Sequence, residues 1–293
     1  SVDKKGFENE MENRVKESQK GSNISADVFG TGYITEFKEN HPKTEFVGYD
    51  KLELSDVDLM ALVVGDDVVQ NASAGSEVSV LVGQTPFYAE GGGQVGDSGV
   101  FKTSTGTIEI HDTKSVEGYY LHHGKVAEGT VQTGQPAVII VDSDARESTM
   151  KNHTATHLMH TYLKQILGDH VSQKGSYVGP DRLRFDFSNP EGVSKEDLRR
   201  IEASVNGTIL KNIPVETYHT SLDEAKSAGV TALFGEKYGD EVRVVQVGEV
   251  SQELCGGTHV SNIGDIGLFK IISESAIAAG IRIIEGITGQ EAY

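Results

Sequence analysis

The sequence predicts an α+β protein. A small antiparallel β-barrel-like subdomain, residues 23–143, is followed by an α+β core, residues 144–293, and a short linker helix occupies residues 1–22. Three observations carry this expectation. From about Asn23 to Val141, short β-rich runs alternate with glycine-containing turns. Beyond Asp142, helical stripes mix with strands. The metal-capable side chains His153, His157, Cys255 and His259 all fall in that second part. With 293 residues, 37% of them hydrophobic, the chain can bury one large core or two smaller ones.

Each element has a local justification. Phe7, Met11 and Val15 recur every four residues in a charged segment, which suggests a short amphipathic helix ending near Gly21. Residues 76–82, 107–111, 119–123 and 137–141 read as strands of a small barrel or sandwich. Asp144 with Glu147 resembles a capping box, and apolar Ala155, Leu158, Met159, Tyr162, Leu163, Ile166 and Leu167 follow. Gly168 then supplies a stop, so the spacing predicts a helix over about 145–167. The run Leu183-Arg184-Phe185-Asp186-Phe187 alternates in and out as a strand. Leu198, Ile201, Val205 and Ile209 form a helical stripe after a Ser194 cap. Residues 242–247, 267–273 and 281–288 read as further strands, and no internal repeat or low-complexity tract is visible.

Charge and cysteine content narrow the function classes. Twenty-six basic against 44 acidic residues give a net charge of −18, which opposes non-specific attraction to phosphates. Any nucleic-acid partner must be held locally or by other segments. One cysteine excludes an internal disulfide, and a reducible thiol suits the cytoplasm. No transmembrane run or signal peptide is seen, so a soluble protein without a membrane partner is expected. The opening Ser1-Val2-Asp3-Lys4-Lys5 has the look of a fragment's edge.

The strongest chemical signal is the pair His153-x-x-x-His157 and Cys255-x-x-x-His259, which uses the single cysteine of the chain. Helix positions i and i+4 share a face, so two imidazoles can meet one ion, and a thiolate with a third imidazole completes a set suited to Zn2+. At roughly 100° per residue, His153 and His157 project almost opposite the apolar stripe, away from the packed side. His160 and Lys164 share that polar face, which makes His160 a substitute ligand. Satisfied structural histidines are the competing reading, and four protein ligands would equally suit a closed, structural zinc. Thr154 and Ala155 stand between the two histidines, so the peptidase motif with its catalytic Glu is absent. A zinc deaminase is disfavoured because its paired cysteines cannot be built from one.

A second element spans residues 84–97, with Thr85, Glu90, Gly91, Gly92, Gly93 and Gln94 at its centre. Consecutive glycines permit positive φ and let backbone amides approach a ligand closely, so the loop could cradle a sugar or phosphate. Glycine content alone favours an ordinary β-turn, and the orienting polar groups of Thr85, Glu90 and Gln94 weigh toward a binding loop. No Gly-Lys-Ser/Thr follows, and the spacing is not that of a dinucleotide fingerprint.

Together these stretches resemble the editing region of alanyl-tRNA synthetases. The matching stretches, in the family's order, are residues 84–97, His153-Thr-Ala-Thr-His157-Leu158, Leu183-Arg-Phe-Asp-Phe187, Ala232-Leu-Phe-Gly-Glu-Lys-Tyr238, Glu253-Leu-Cys-Gly-Gly-Thr-His-Val260 and residues 279–289. They cover nearly everything from about residue 24 to residue 289. The cysteine–histidine run is highly specific and the glycine loop moderately so. Threonyl-tRNA synthetase editing domains share the metal-ligand spacing, and freestanding alanyl-tRNA editing proteins share both elements. Thr44-Glu45-Phe46-Val47-Gly48-Tyr49 and the helix before it look more like an internal synthetase fragment. The family's adenylate-forming aminoacylation domain and its C-terminal oligomerisation region have no counterpart in this sequence. Where the family usually reads Ile-Arg-Arg-Ile-Glu, Arg282 is here followed by Ile283, which withdraws support from an RNA contact at that second position.

The resemblance implies a zinc-containing editing core that hydrolyses the ester joining serine or glycine to the acceptor end of tRNA(Ala). Two mechanisms stay open. Three protein ligands could leave a metal position for water or for the aminoacyl group. Alternatively a closed zinc orders the pocket while Gln94, Thr85 and loop amides orient water and substrate. Gly91, Gly92, Gly93, Arg182, Arg184, Arg282 and Lys270 are candidate contacts to RNA, although isolated basic residues are usually solvated surface. A freestanding deacylase and a non-catalytic zinc module that captures the acceptor end are the alternatives.

Overall fold

The computed structural model describes residues 37–38, 41–232 and 239–293. The helix expected around Phe7, Met11 and Val15 lies outside the described residues, as does most of the Ala232–Tyr238 motif, residues 233–238. The described part is mostly β-sheet with few helices.

The first large sheet is antiparallel. Its strands run in the order Glu53–Asp58, Pro136–Val141, Gly99–Thr103, Gly106–Val116, Tyr119–Gln132, Glu77–Leu81, Ala61–Val64 and Asp67–Val69, and Asn71–Ser73 pairs with the far end of Tyr119–Gln132. The four strands expected from residues 76–141 are all present. Alternation puts Val80, Phe101, Ile108, Val126, Val131 and Ile139 into one buried core. The expectation of a barrel needs correction. No pairing among the described residues joins the edge strands Glu53–Asp58 and Asp67–Val69, so the sheet is not closed. Tyr119–Gln132 carries register shifts at His123/Gly124 and Val126/Glu128, and such bulges raise twist. At the first bulge only glycine fits, because a Cβ on Gly124 would lie 2.2 Å from the Glu109 carbonyl oxygen.

The second half is built around α1 (Ser143–Leu167). Its first turn is capped by Asp142, whose carboxylate accepts from Asp144 and Ala145 backbone N–H groups, so the cap lies two residues before the expected Asp144. Gly168 ends it as expected, at φ 118°, donating its N–H to the Lys164 carbonyl. A four-stranded antiparallel sheet, ordered Gln173–Val178, Leu183–Ser188, Ile281–Thr288 and Phe269–Ala278, packs with α1 and α2 (Lys195–Ile209). Leu158, Met159, Leu163, Phe185, Phe187, Ile201, Val205 and Phe269 fill that core. The Ser194 hydroxyl caps α2 through the Asp197 N–H, as its position predicts. A three-stranded sheet, Val215–Ser221, Glu241–Val247 and Ser251–Leu254, carries the short α3 (Leu222–Ser227) beside it.

α1 is the pivot between these parts. Near its start Arg146 forks onto Asp97 and also donates to the Gly48 and Pro86 carbonyls at 2.6 and 2.8 Å. Asp97 in turn accepts from the Tyr88 N–H at 2.6 Å, so the glycine-loop segment is fastened to the helix. Nearly two turns further on, Asn152 donates to the Gly179 carbonyl and accepts from the Thr288 hydroxyl. No helix among the described residues is long and apolar enough to cross a membrane.

Candidate metal centre

The expected outward projection of His153 and His157 is wrong: each is only 5% exposed. Ala155, Leu158 and Met159 face one core, and the segment that returns after Ser251–Leu254 covers the opposite flank. Periodicity sees the first face only. The second is filled by residues about a hundred positions away.

That return brings four ligand atoms, from His153, His157, Cys255 and His259, within 4.8 Å of one another. Each imidazole is oriented from behind. His153 Nδ1 donates to Gln94 Oε1 at 2.8 Å, His157 Nδ1 to Glu253 Oε2 at 2.5 Å, and His259 Nδ1 to Thr154 Oγ1 at 3.1 Å. The Thr154 hydroxyl proton is already spent on the Met150 carbonyl, so its oxygen can only accept from His259. With an ion bound, these acceptors would keep the proton of each imidazole on Nδ1 and turn Nε2 toward the centre, the tautomer a metal requires. His153 and His259 Nε2 lie 3.4 and 3.3 Å from Cys255 Sγ. His157 Nε2 is buried with no hydrogen-bond partner, a costly orphan that a cation would satisfy. Three imidazoles and one thiol around a point therefore fit a tetrahedral ion.

Electrostatics agree with that fit. Burial opposes ionisation of Cys255, yet His153 and His259 beside it hold the thiol well below its usual range, favouring thiolate. Burial depresses His259 to about 3, so it stays neutral. Burial also opposes charge on His157, but Glu253 and Cys255 outweigh it and raise the group to about 10, so without an ion its Nε2 holds a proton that a bound cation would displace. Glu253 is held down to about 2 by His157 and His160 against its own desolvation. His160 is not a substitute ligand. Its Nδ1 donates to the other Glu253 oxygen at 2.9 Å and its ring packs 5.0 Å from Phe185.

The Cys255–His259 loop is shaped from outside. A Cβ on Gly257 would sit 2.1 Å from His153 Cε1, so a glycine lets the ring reach the centre, whereas Gly256 faces open space. Arg243 Nη1 donates to the Cys255 and Gly257 carbonyls at 2.8 and 3.0 Å, and Tyr49 Oη donates to the intervening Gly256 carbonyl at 2.6 Å. The Arg243 guanidinium also lies 4.2 Å over the Tyr49 ring. Sequence reasoning missed Glu253, Arg243 and Tyr49. The only available signal was that Glu253 stands two positions before the cysteine.

The glycine loop does reach this centre, through one residue. Gln94 is 0% exposed, and besides His153 it binds the Thr258 N–H and Thr258 hydroxyl, each at 2.9 Å. All its side-chain hydrogen bonds go to the Cys255–His259 loop and to His153, so it positions that imidazole. Gly91 and Gln94 exchange backbone hydrogen bonds, and Gly93 and Val95 are stitched to Val178. The amides of Gly91 and Gln94 are thus spent on the turn itself. A Cβ on Gly93, at φ 85°, would strike the Ser176 hydroxyl at 2.0 Å. Thr85 is placed differently from expectation. It is 0% exposed, and its hydroxyl donates to His122 Nε2 at 2.8 Å and accepts from the Phe87 N–H. None of these bonds reaches the metal-capable cluster.

The basic candidates are largely neutralised. Arg182 pairs with Asp181 and Glu285, Arg184 with Asp186, and Arg282 with Glu274. Lys270 is exposed on Phe269–Ala278. A cavity of about 170 Å³ opens beside the cluster, with His259, Thr258, Arg243, Tyr49, Thr217 and Ser261 in its wall.

Residues 1–145 match the family described as tRNA synthetases class II (A), and residues 242–285 match the threonyl and alanyl tRNA synthetase second additional domain. The chain is 46% identical over 304 residues to an alanine-tRNA ligase of Paracoccus denitrificans, covering 100% of this chain and 34% of that protein. It is 48% identical over 292 residues to one from Carboxydothermus hydrogenoformans, covering 99% and 33%. A third, from Geobacillus kaustophilus, is 48% identical over 296 residues, covering 100% and 33%. The chain spans about a third of the length of the curated relatives it matches.

Proposed function

Because the chain belongs to the alanyl-tRNA synthetase family, we propose that it hydrolyses the ester linking serine or glycine to tRNA(Ala), with Zn2+ held by His153, His157, Cys255 and His259. The observation that carries this reading is the convergence of those four groups, each imidazole oriented by a buried acceptor, beside an open cavity. Zinc bound there supplies a Lewis acid next to an ester. The protein does the rest. An aminoacyl ester is already activated, so orientation and charge placement account for most of the required acceleration. Gln94 and Glu253 fix two ligand imidazoles. Thr258 lines the cavity, and its hydroxyl accepts from Gln94 while its own proton has no acceptor among the described residues. That proton is available to a substrate hydroxyl. Thr85 acts indirectly, by holding the turn that leads into the glycine loop.

Selectivity follows from polar pairing. A synthetic pocket built for alanine rejects an added hydroxyl by only about a hundredfold. A second site that hydrogen-bonds the serine hydroxyl inverts the choice, because alanine leaves buried polar groups unpaired at roughly 1–3 kcal/mol each. The test is amino-acid release from matched seryl-, glycyl- and alanyl-tRNA(Ala) by the zinc-loaded chain. Multiple turnover on serine and glycine with alanine spared is expected. Equal cleavage of seryl and alanyl esters overturns the selectivity. Four protein groups also fill a tetrahedral site, which favours a second reading in which zinc is structural and the chain only captures the acceptor end. RNA binding without turnover would establish that reading instead.

A further inference from the structure

We propose that Arg243, stacked on Tyr49 at the rim of the metal centre, is the docking point for the phosphodiester that joins the last nucleotide of the bound RNA. The inference rests on the hydrolytic reading for the identity of the ligand, and on four observations for the site. First, Arg243 has no carboxylate partner among the described residues, a condition it shares with Arg199 alone of the described arginines, whereas Arg146, Arg182, Arg184, Arg200 and Arg282 each form an ion pair. Second, it is pre-organised. One nitrogen is pinned by the Cys255 and Gly257 carbonyls, and the guanidinium plane is carried by the Tyr49 ring. Third, Nε and Nη2 make no protein hydrogen bond among the described residues and are not buried orphans, so they remain open to a ligand. Fourth, Arg243 shares the wall of the 170 Å³ cavity with the ligand His259 and with Thr258.

The chemistry of those open groups selects the ligand. A planar guanidinium offers parallel N–H donors that match the two non-bridging oxygens of a phosphodiester, and holding the fork rigid lowers the entropy lost on binding. A neutral sugar or amide would leave the positive charge uncompensated. In a chain of net charge −18, a cation free of carboxylates is a local exception to the repulsion that phosphates otherwise meet. An ester on the terminal ribose, placed at the metal centre, carries its nearest anion on the same nucleotide. Asp50 also lines the cavity but is exposed and forms no ion pair with Arg243, so solvent weakens its pull on the guanidinium. The same carbonyl clamp links the phosphate to the metal loop, so docking the terminal nucleotide and ordering Cys255 become one event.

The test uses unacylated acceptor-stem hairpin RNA and the zinc-loaded full chain, read by fluorescence anisotropy. Arg243→Ala is expected to bind roughly tenfold more weakly, with the salt dependence of log Kd shallower by about 0.7, the loss of one single-strand phosphate contact. A neutral methylphosphonate at the terminal linkage is expected to weaken wild type by the same factor and to leave Arg243→Ala unchanged. Wild-type affinity in Arg243→Ala, or an equal loss of both proteins on the neutral linkage, would overturn the proposal. If Arg243→Ala fails to retain metal, the methylphosphonate RNA with wild type decides alone: unchanged affinity overturns the assignment and a tenfold loss upholds it. Serine release is scored separately. Charge-dependent RNA binding with no release would sink the hydrolytic reading and leave the docking site standing.

Discussion

Gln94 Oε1 accepts a hydrogen bond from His153 Nδ1 at 2.8 Å, across 59 residues of sequence, and the same oxygen accepts from the Thr258 N–H at 2.9 Å. One buried amide thus fixes a ligand imidazole and the loop that carries two further ligands. Removing it with Gln94→Ala strands three polar partners and frees the His153 ring. Metal affinity, measured by chelator competition, should fall about ten- to a hundredfold. Serine release should slow more than RNA binding weakens, since the residue orients and does not grip. Unchanged metal affinity would show that the bond carries no positional role.

The two adjacent glycines of the metal loop should behave oppositely. Gly257→Ala puts a methyl 2.1 Å from His153 Cε1 and 2.8 Å from Gln94 Oε1, so the ring must leave its place. Gly256→Ala meets nothing within 4 Å. Metal content by mass spectrometry should therefore drop in the first variant and persist in the second. Equal retention in both would contradict the crowding around His153.

Metal removal should destabilise the protein as well as silence it. The four ligands come from α1 and from a loop about a hundred residues later, so a bound ion ties two distant segments together. Zinc is expected at one per chain, with Zn–N near roughly 2.0–2.1 Å and Zn–S near about 2.3 Å by X-ray absorption. A chelator should lower the Tm of wild type, and Cys255→Ala should start lower and respond little. A Tm indifferent to chelator would remove the metal from the structural account.

Arg146→Ala should rank among the most damaging changes outside the metal centre. Both Arg146 and Asp97 are buried, and deleting the guanidinium leaves the Asp97 carboxylate without its counter-charge, held only by the Tyr88 N–H, and the Gly48 and Pro86 carbonyls without their arginine donor. A loss of about 3–5 kcal/mol is expected in urea unfolding. A cost below about 1 kcal/mol would mean that water replaces the fork.

His122 gives the β subdomain an acid-sensitive core. Burial holds it down to about 4 from 6.5, with Nδ1 donating to the Val80 carbonyl and Nε2 accepting from Thr85. Its folded pKa lies below its unfolded one, so the unfolded chain takes up more protons as pH falls. The stabilisation is complete above pH 6.5 and declines down to about pH 4, by about 3 kcal/mol. The wild-type loss of stability over that window should exceed that of His122→Gln, compared at matched pH in urea. Parallel pH profiles would count against the buried neutral histidine.

Local chemistry made much of this protein legible before any coordinates. Alternation fixed the strand Leu183–Ser188, because successive side chains must point to opposite faces. The Ser194 hydroxyl and the stripe through Ile201, Val205 and Ile209 fixed α2, because the cap and the 3.6-residue period are properties of one short segment. The metal-capable group was readable for the same reason: i and i+4 on a helix share a face, and a lone cysteine with its own histidine is a chemically specific pattern. Tertiary structure alone decided the other relationships. Burial of His153 and His157 depends on a strand a hundred residues away that covers the polar flank of α1. Glu253, Arg243 and Tyr49 serve the site through long-range hydrogen bonds, and Thr85 meets His122 because of how the strands are registered. Whether the first sheet closes is likewise decided by which strands pair, and its edge strands among the described residues do not. Sequence spacing encodes which side chains share a face of one element. It does not encode which distant element packs against that face, because that choice comes from the packing free energy of the whole chain.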